Sequence, residues 1–221
     1  MTQPASGDLA LVERARAGDL NAFNELVDLY QRQVYNLCLR MLGSREAAED
    51  ATQEAFLSAY RHLSGLRGGQ FRSWLLRIAT NVSIDELRRF KRQTSLPLER
   101  EHEGEVIEVD LADTAAGPEE LALGLELRAA LERALGLLPP EQRAAVILAD
   151  VQGLRYEEVA AALGCSIGTV KSRIFRARER LRAHLQAVRA FAEPGAPAAR
   201  PTGERSNVTG PASSRGGREG P

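Results

Sequence analysis

Cysteine and histidine are too few and too scattered in this chain to build a metal centre. Cys38 and Cys165 are the only thiols, and His62, His102 and His184 fall in three different segments, so no zinc-ligand spacing can be written. Cys38 lies on an apolar helix face and is expected to be a small buried residue; Cys165 is expected to be structural as well. No apolar run approaches the roughly 20 residues that cross a bilayer. The opening MTQPASGDLA has neither the basic start nor the apolar centre of a secretory signal. A cytoplasmic, reducing setting with no membrane contact of its own is therefore expected, and the Asn207-Val208-Thr209 sequon then carries no meaning. Strand-like alternation is almost missing: Glu105–Leu111 comes closest but is isolated and acidic. No nucleophile, base or carboxylate pair forms a catalytic constellation, so an enzyme has nothing to stand on and no cofactor is expected.

What is present is a partition of charge. The formal net charge is only −1, yet from Arg67 to Arg92 the acids are just Asp85 and Glu86. From Glu99 to Glu126 the balance inverts, and from Lys171 to Arg189 it is basic again. Two cationic surfaces separated by an acidic connector point to two contacts with nucleic acid.

The hydrophobic pattern is helical throughout. Asp8 can cap a first helix that stops at Gly18, and Asp19 can start a second in which Phe23, Leu26, Val27, Tyr30, Val34, Leu37, Cys38 and Met41 keep helical spacing. Gly43-Ser44 breaks and recaps the chain. A third helix, to about Leu63, buries Ala48, Ala51, Ala55, Phe56, Ala59 and Leu63. Gly65, Gly68 and Gly69 make a loop, and a fourth helix runs from Phe71 to Arg92. Pro118 suits the first turn of a helix to about Leu138, and Pro139-Pro140 restarts a helix ending near Gly153. The expected fold is all-α: two small helical bundles, residues 8–93 and 118–190, joined by a flexible acidic linker at 94–117. The second contains a helix-turn-helix, with disordered ends at 1–7 and 191–221.

Residues 156–185 are the most informative. Val159, Ala160 and Leu163 give a short helix one apolar face. Gly164 suits a left-handed terminating residue, and Ser166 can cap the next helix. There Ile167, Val170, Ile174, Leu181 and Leu185 share one face. Thr169, Ser172, Arg173, Arg176 and Arg180 share another, flanked by Lys171, Arg178 and Arg182. An ordinary hairpin with a solvated basic face would mix signs, but Glu179 is almost the only acid here. The pattern is that of a DNA-reading helix-turn-helix.

Two further surfaces need an explanation beyond folding. The third helix carries Asp50, Gln53, Glu54, Leu57 and Arg61 opposite its alanine side, which suits either a protein interface with an apolar anchor or a solvated face with a lone leucine. The fourth helix lines Arg77, Asn81, Asp85, Arg88 and Arg92 along one face behind a glycine-rich loop, which suits single-stranded DNA. Trp74 belongs to the core stripe of Phe71, Leu75, Ile78 and Val82.

In two blocks over residues 8–187 the sequence resembles the extracytoplasmic-function sigma factors, promoter-recognition subunits of bacterial RNA polymerase. The first block is Glu49-Asp50-Ala51-Thr52-Gln53-Glu54-Ala55-Phe56 followed by Phe71-x-x-Trp74-Leu75-x-x-Ile78-Ala79-x-Asn81-x-x-x-Asp85. The second is Leu138-Pro139-x-x-x-Arg143, Tyr156-x-Glu158-Val159-Ala160 and Gly168-Thr169-Val170-Lys171-Ser172-Arg173-x-x-Arg176-Ala177-Arg178. The resemblance implies that Asp50, Gln53, Glu54 and Leu57 dock on the β′ coiled coil of core polymerase. It implies that Gln70, Arg72, Arg77, Asn81, Asp85, Arg88 and Arg92 recognise and help melt the −10 element. It assigns the −35 element to Arg155, Ser166, Thr169, Lys171, Ser172, Arg173, Arg176 and Arg178. It further implies contact with the β flap, control by an anti-sigma factor, and no catalysis by the chain itself. The loop Arg67-Gly68-Gly69-Gln70 is about one residue shorter than the usual family form, with Gly69 where a polar side chain is common, so base capture falls to Gln70.

Promoter boxes one and a half turns apart are separated by ~50 Å, and a linker of about 25 residues reaches ~80–90 Å when extended, so both can be held together. The acidic linker has two readings, a solvated spacer kept off DNA or a transcript mimic threaded through polymerase channels. A stand-alone operator-binding regulator would explain Tyr156–Leu185 but leave the first bundle without purpose.

Overall fold

A computed structural model of the chain describes residues 6–66, 70–93 and 118–192. The expected acidic linker, the Arg67–Gly69 part of the loop, and the tail beyond Ala192 lie outside these residues. Eight α-helices follow in order: α1 Ser6–Arg16, α2 Leu20–Leu42, α3 Arg45–His62, α4 Phe71–Gln93, α5 Pro118–Gly136, α6 Pro140–Val146, α7 Tyr156–Leu163 and α8 Ile167–Ala192. A 3₁₀ turn, Leu63–Gly65, ends α3, and a π turn, Ile147–Val151, extends α6. No strand occurs among the described residues.

The helix boundaries follow local chemistry. Asp19 caps α2 by accepting from the backbone N–H groups of Asn21 and Ala22 at 3.0 and 3.2 Å; the bond to Arg14 and these caps hold its carboxyl below the usual range. α2 ends where Gly43 takes φ 74°, a left-handed conformation that only glycine adopts without strain. Ser44 then caps α3 through Ala47. The Asp8 cap is not realised, because α1 already begins at Ser6 within the stretch expected to be disordered. Asp8 instead accepts a short hydrogen bond from the Tyr30 hydroxyl, pinning α1 to α2.

Helices α1–α4 form one bundle around Phe23, Leu26, Val34, Leu37, Cys38, Met41, Ala55, Phe71, Leu75 and Leu76. Burial pushes the Cys38 thiol pKa up. In α4 the buried side is broader than expected: Leu76, Ala79, Thr80 and Ser83 are buried, while Trp74, Ile78 and Val82 are half-buried. The Thr80 and Ser83 hydroxyls are satisfied by the Leu76 and Ala79 carbonyls four residues back. Trp74 leans on Phe71 with ring centroids 5.9 Å apart, as its place in the stripe predicts.

Helices α5–α8 form the second bundle around Leu135, Leu138, Ile147, Leu148, Val159, Val170, Ile174 and Ala177. The two bundles do not stand apart. Their buried residues form one continuous cluster, and α4 packs on α7 and α6 while α2 packs on α5.

Candidate polymerase and nucleic-acid interfaces

On α3 the alanines at 48, 51, 55 and 59 are buried, which turns Asp50, Gln53, Glu54 and Leu57 to solvent. Leu57 is 51% exposed. It borders an apolar groove between α2 and α3 lined by Leu20, Phe23, Val27, Phe56 and Tyr60. Tyr60 stands edge-on to Phe23 at 5.0 Å, which fixes one wall. Leu20 and Tyr60 were missed in the sequence because neither falls on a core stripe; an apolar residue at an outward helix position was the available signal. Glu54 pairs with Arg61 at 3.7 Å.

The −10 candidates are divided. Arg77, Asn81 and Arg92 are exposed on α4. Gln70 sits just before the helix, where its carbonyl accepts from the Trp74 N–H and its side chain from the Ser73 hydroxyl. Arg72 is directed elsewhere: it donates to the Gln152 carbonyl at 2.5 Å and to Gln33 Oε1 at 3.3 Å. Arg88 lies 3.4 Å from Asp85 and 3.6 Å from Glu141 of α6.

In the helix-turn-helix, Gly164 ends α7 at φ 59° and Ser166 Oγ accepts from the Thr169 N–H at 3.1 Å. Val170, Ile174 and Ala177 are buried, so the opposite face of α8 carries exposed Lys171, Arg176 and Arg180. Ile167, expected on the apolar side, is 40% exposed. The Thr169 and Ser172 hydroxyls are engaged locally, with Ser166 Oγ and the Thr169 carbonyl. Arg173 bends back, its guanidinium 3.5 Å from Cys165 Sγ. Arg178 is clamped by both oxygens of Asp150, at 2.9 and 2.6 Å, which raises its pKa further. Arg155 is exposed before α7, beside Glu158 at 3.5 Å. Phe175, 64% exposed between the cations, was not singled out in the sequence. A large apolar residue one step off the buried stripe was the signal.

The arrangement brings members of two separate sets together. Asn81, Asp85 and Arg88 of α4 share a cleft of about 400 Å³ with Glu141, Leu163 and Arg173.

Residues 26–93 match the family described as Sigma-70 region 2, and residues 128–181 match Sigma-70, region 4. The chain is 36% identical to the ECF RNA polymerase sigma factor SigW of Bacillus subtilis, across 79% of this chain and 95% of that one. It is 41% identical to the ECF RNA polymerase sigma factor SigE of Mycolicibacterium smegmatis, across 74% of this chain and 62% of the relative. Among solved structures it is similar to the sigma factor RpoE of Bartonella quintana in complex with the anti-sigma factor NepR, with a TM-score of 0.56 and 28% identity over 74% of this chain and 96% of that one. With both regions in order on one helical scaffold, the chain belongs to the extracytoplasmic-function family of RNA polymerase sigma factors.

Proposed function

We propose that this sigma factor docks on core RNA polymerase through the α3 face of Asp50, Gln53, Glu54 and Leu57, with the adjoining apolar groove receiving part of the β′ coiled coil. Residues 8–93 then supply −10 recognition and melting through Gln70, Arg72, Arg77, Asn81, Asp85, Arg88 and Arg92. Residues 118–190 supply −35 recognition through α8 and contact the β flap. The observation that carries this reading is the exposed acid-and-leucine face on one bundle together with a capped, cationic recognition helix on the other.

The chemistry is consistent at each surface. An apolar anchor ringed by polar groups is what a protein interface needs. Lys171 and Arg176 project from the recognition helix, where arginine can pair bidentately with guanine and lysine can hold phosphate. The solved complex of RpoE with NepR supports control of this chain by an anti-sigma factor.

Titration of labelled protein with core polymerase tests the docking face without knowledge of the promoter. Wild type binds tightly, and a variant with Asp50→Lys, Gln53→Lys and Glu54→Lys does not. No binding by the wild type, on a core sample that accepts an authentic sigma factor, would overturn the proposal.

A further inference from the structure

The cations of the recognition helix are not equally available. Lys171, Arg176 and Arg180 are exposed on α8 and meet no carboxylate among the described residues. Arg182 has only Glu179, at 3.8 Å and three residues back on the same exposed surface, a pair that contributes little and yields readily to another anion. Arg178 differs. It lies two helical turns beyond Lys171, on the same flank. Its side chain is 52% exposed, so a phosphate strand held by Lys171 could reach it. Yet its Nε and Nη2 already donate to the two carboxylate oxygens of Asp150, at 2.9 and 2.6 Å. Two parallel charge-assisted bonds are the strong form of such a pair. Packing fixes the backbone at both ends. Arg178 follows the fully buried Ala177, and Asp150 stands on the π turn between buried Leu148 and Gln152. The Gln152 and Leu154 N–H groups bond back to the Ile147 and Leu148 carbonyls, so the turn is set before the pair forms.

We propose that Asp150 is a positioning residue for DNA binding: it holds Arg178 off the phosphate backbone and leaves the recognition helix to Lys171, Arg176 and Arg180. This rests on the −35 assignment of α8 made above, and it removes Arg178 from the contacts expected there. A phosphate recruits Arg178 only by replacing the carboxylate at both nitrogens, which leaves Asp150 uncompensated close to a polyanion. The consequence is one phosphate contact fewer. Phosphate contacts carry no sequence information and supply the binding to random duplex. Withholding one weakens that background while the side chains on the outer face of α8 remain free to read base edges.

Fluorescence anisotropy of the full chain on a random-sequence duplex, across a salt series, tests this. Asp150→Asn keeps the shape of the side chain and drops its charge. It binds about three- to tenfold more tightly at about 0.1 M salt, and its salt slope steepens by about 0.9, the mark of one phosphate contact. Adding Arg178→Ala to Asp150→Asn cancels both changes, and Arg178→Ala costs more there than in wild type. Three results overturn the proposal. The first is no gain from Asp150→Asn, including no detectable binding by either chain. The second is a gain that survives Arg178→Ala and so belongs to the charge of Asp150 itself. The third is a cost of Arg178→Ala as large in wild type as in Asp150→Asn. Lys171→Ala separates this proposal from the reading beneath it. If Lys171→Ala leaves duplex binding unchanged, the assignment of α8 to DNA fails and the proposal with it. If Lys171→Ala weakens binding while Asp150→Asn changes nothing, the clamp alone fails. Should thermal melts show that Asp150→Asn does not fold, the wild-type chain gives a second measurement by NMR. The Arg178 Nε–H resonance keeps its position as random duplex is added while that of Arg176 moves, and a shift at Arg178 overturns the proposal.

Discussion

Arg143 is the one charged residue among the described residues that is fully buried, at 7% exposure. Its described hydrogen bonds all run to main-chain carbonyls, those of Met41, Gly136 and Leu138. A guanidinium fork can serve several carbonyls at once, whereas an ammonium is a point donor. Arg143→Met strands these acceptors and lowers stability by about 2–4 kcal/mol, and Arg143→Lys recovers only part of it; urea unfolding of both variants checks this. Glu132 supplies a pH signature. Burial raises its pKa above 4.5 and outweighs the opposing pull of Arg40 and Arg128. A raised folded-state pKa contributes stability that is complete below the unfolded value and is lost as pH rises through the folded one. Wild type therefore gains on Glu132→Gln as pH is lowered from neutral towards 4.5, a trend that thermal melts of the pair across that range would show.

At the level of elements, the starts of α2, α3 and α8 were readable, though not that of α1, because each is set locally between one side chain and one orphan backbone group. Asp19, Ser44 and Ser166 each occupy the position at which their oxygen can reach an N–H two or three residues on. Ser44→Ala accordingly lowers stability by about 1 kcal/mol, measurable as a fall in Tm. The recognition helix was readable as a face but not in the conduct of its residues. Arg178 sits among cations in sequence, yet Asp150, 28 positions earlier, holds it in the fold. Lys171→Ala is expected to reduce the salt slope of duplex binding by about 0.9, with little change in sequence preference. Arg176→Ala costs about 1–3 kcal/mol on a cognate −35 site and much less on random duplex. Asp150→Asn, by releasing Arg178, strengthens duplex binding; fluorescence anisotropy across a salt series separates the three.

At the scale of the whole molecule, the least legible feature is the seam between bundles. Periodicity reports which side of a helix is buried, not what buries it. Gln33 and Gln152 lie 119 residues apart, and Arg72 and Gln152 lie 80 apart; both contacts are polar, so neither leaves a hydrophobic trace. The reading of two independent bundles accordingly placed Arg72 and Arg88 on open DNA surface, where the fold engages them with Gln152 and Glu141. The ion pairs of the seam weaken as salt is raised, but the apolar cluster shared by the bundles does not, so the radius of gyration of the free chain is expected to change little across a salt series, as small-angle scattering would record.

The π turn at Ile147–Val151 places Asp150 against the recognition helix. The Gln152 N–H reaches back five residues to the Ile147 carbonyl, so the segment carries one residue more than an α-helical turn would hold. From this widened turn Asp150 faces α8 and Gln152 faces α2 and α4. Deleting a single residue such as Ala149 would let an ordinary α-helical turn span the same arc, leaving the chain beyond it in register while moving Asp150, on the turn itself, away from Arg178. One surplus amino acid thereby indexes the recognition helix to its own bundle.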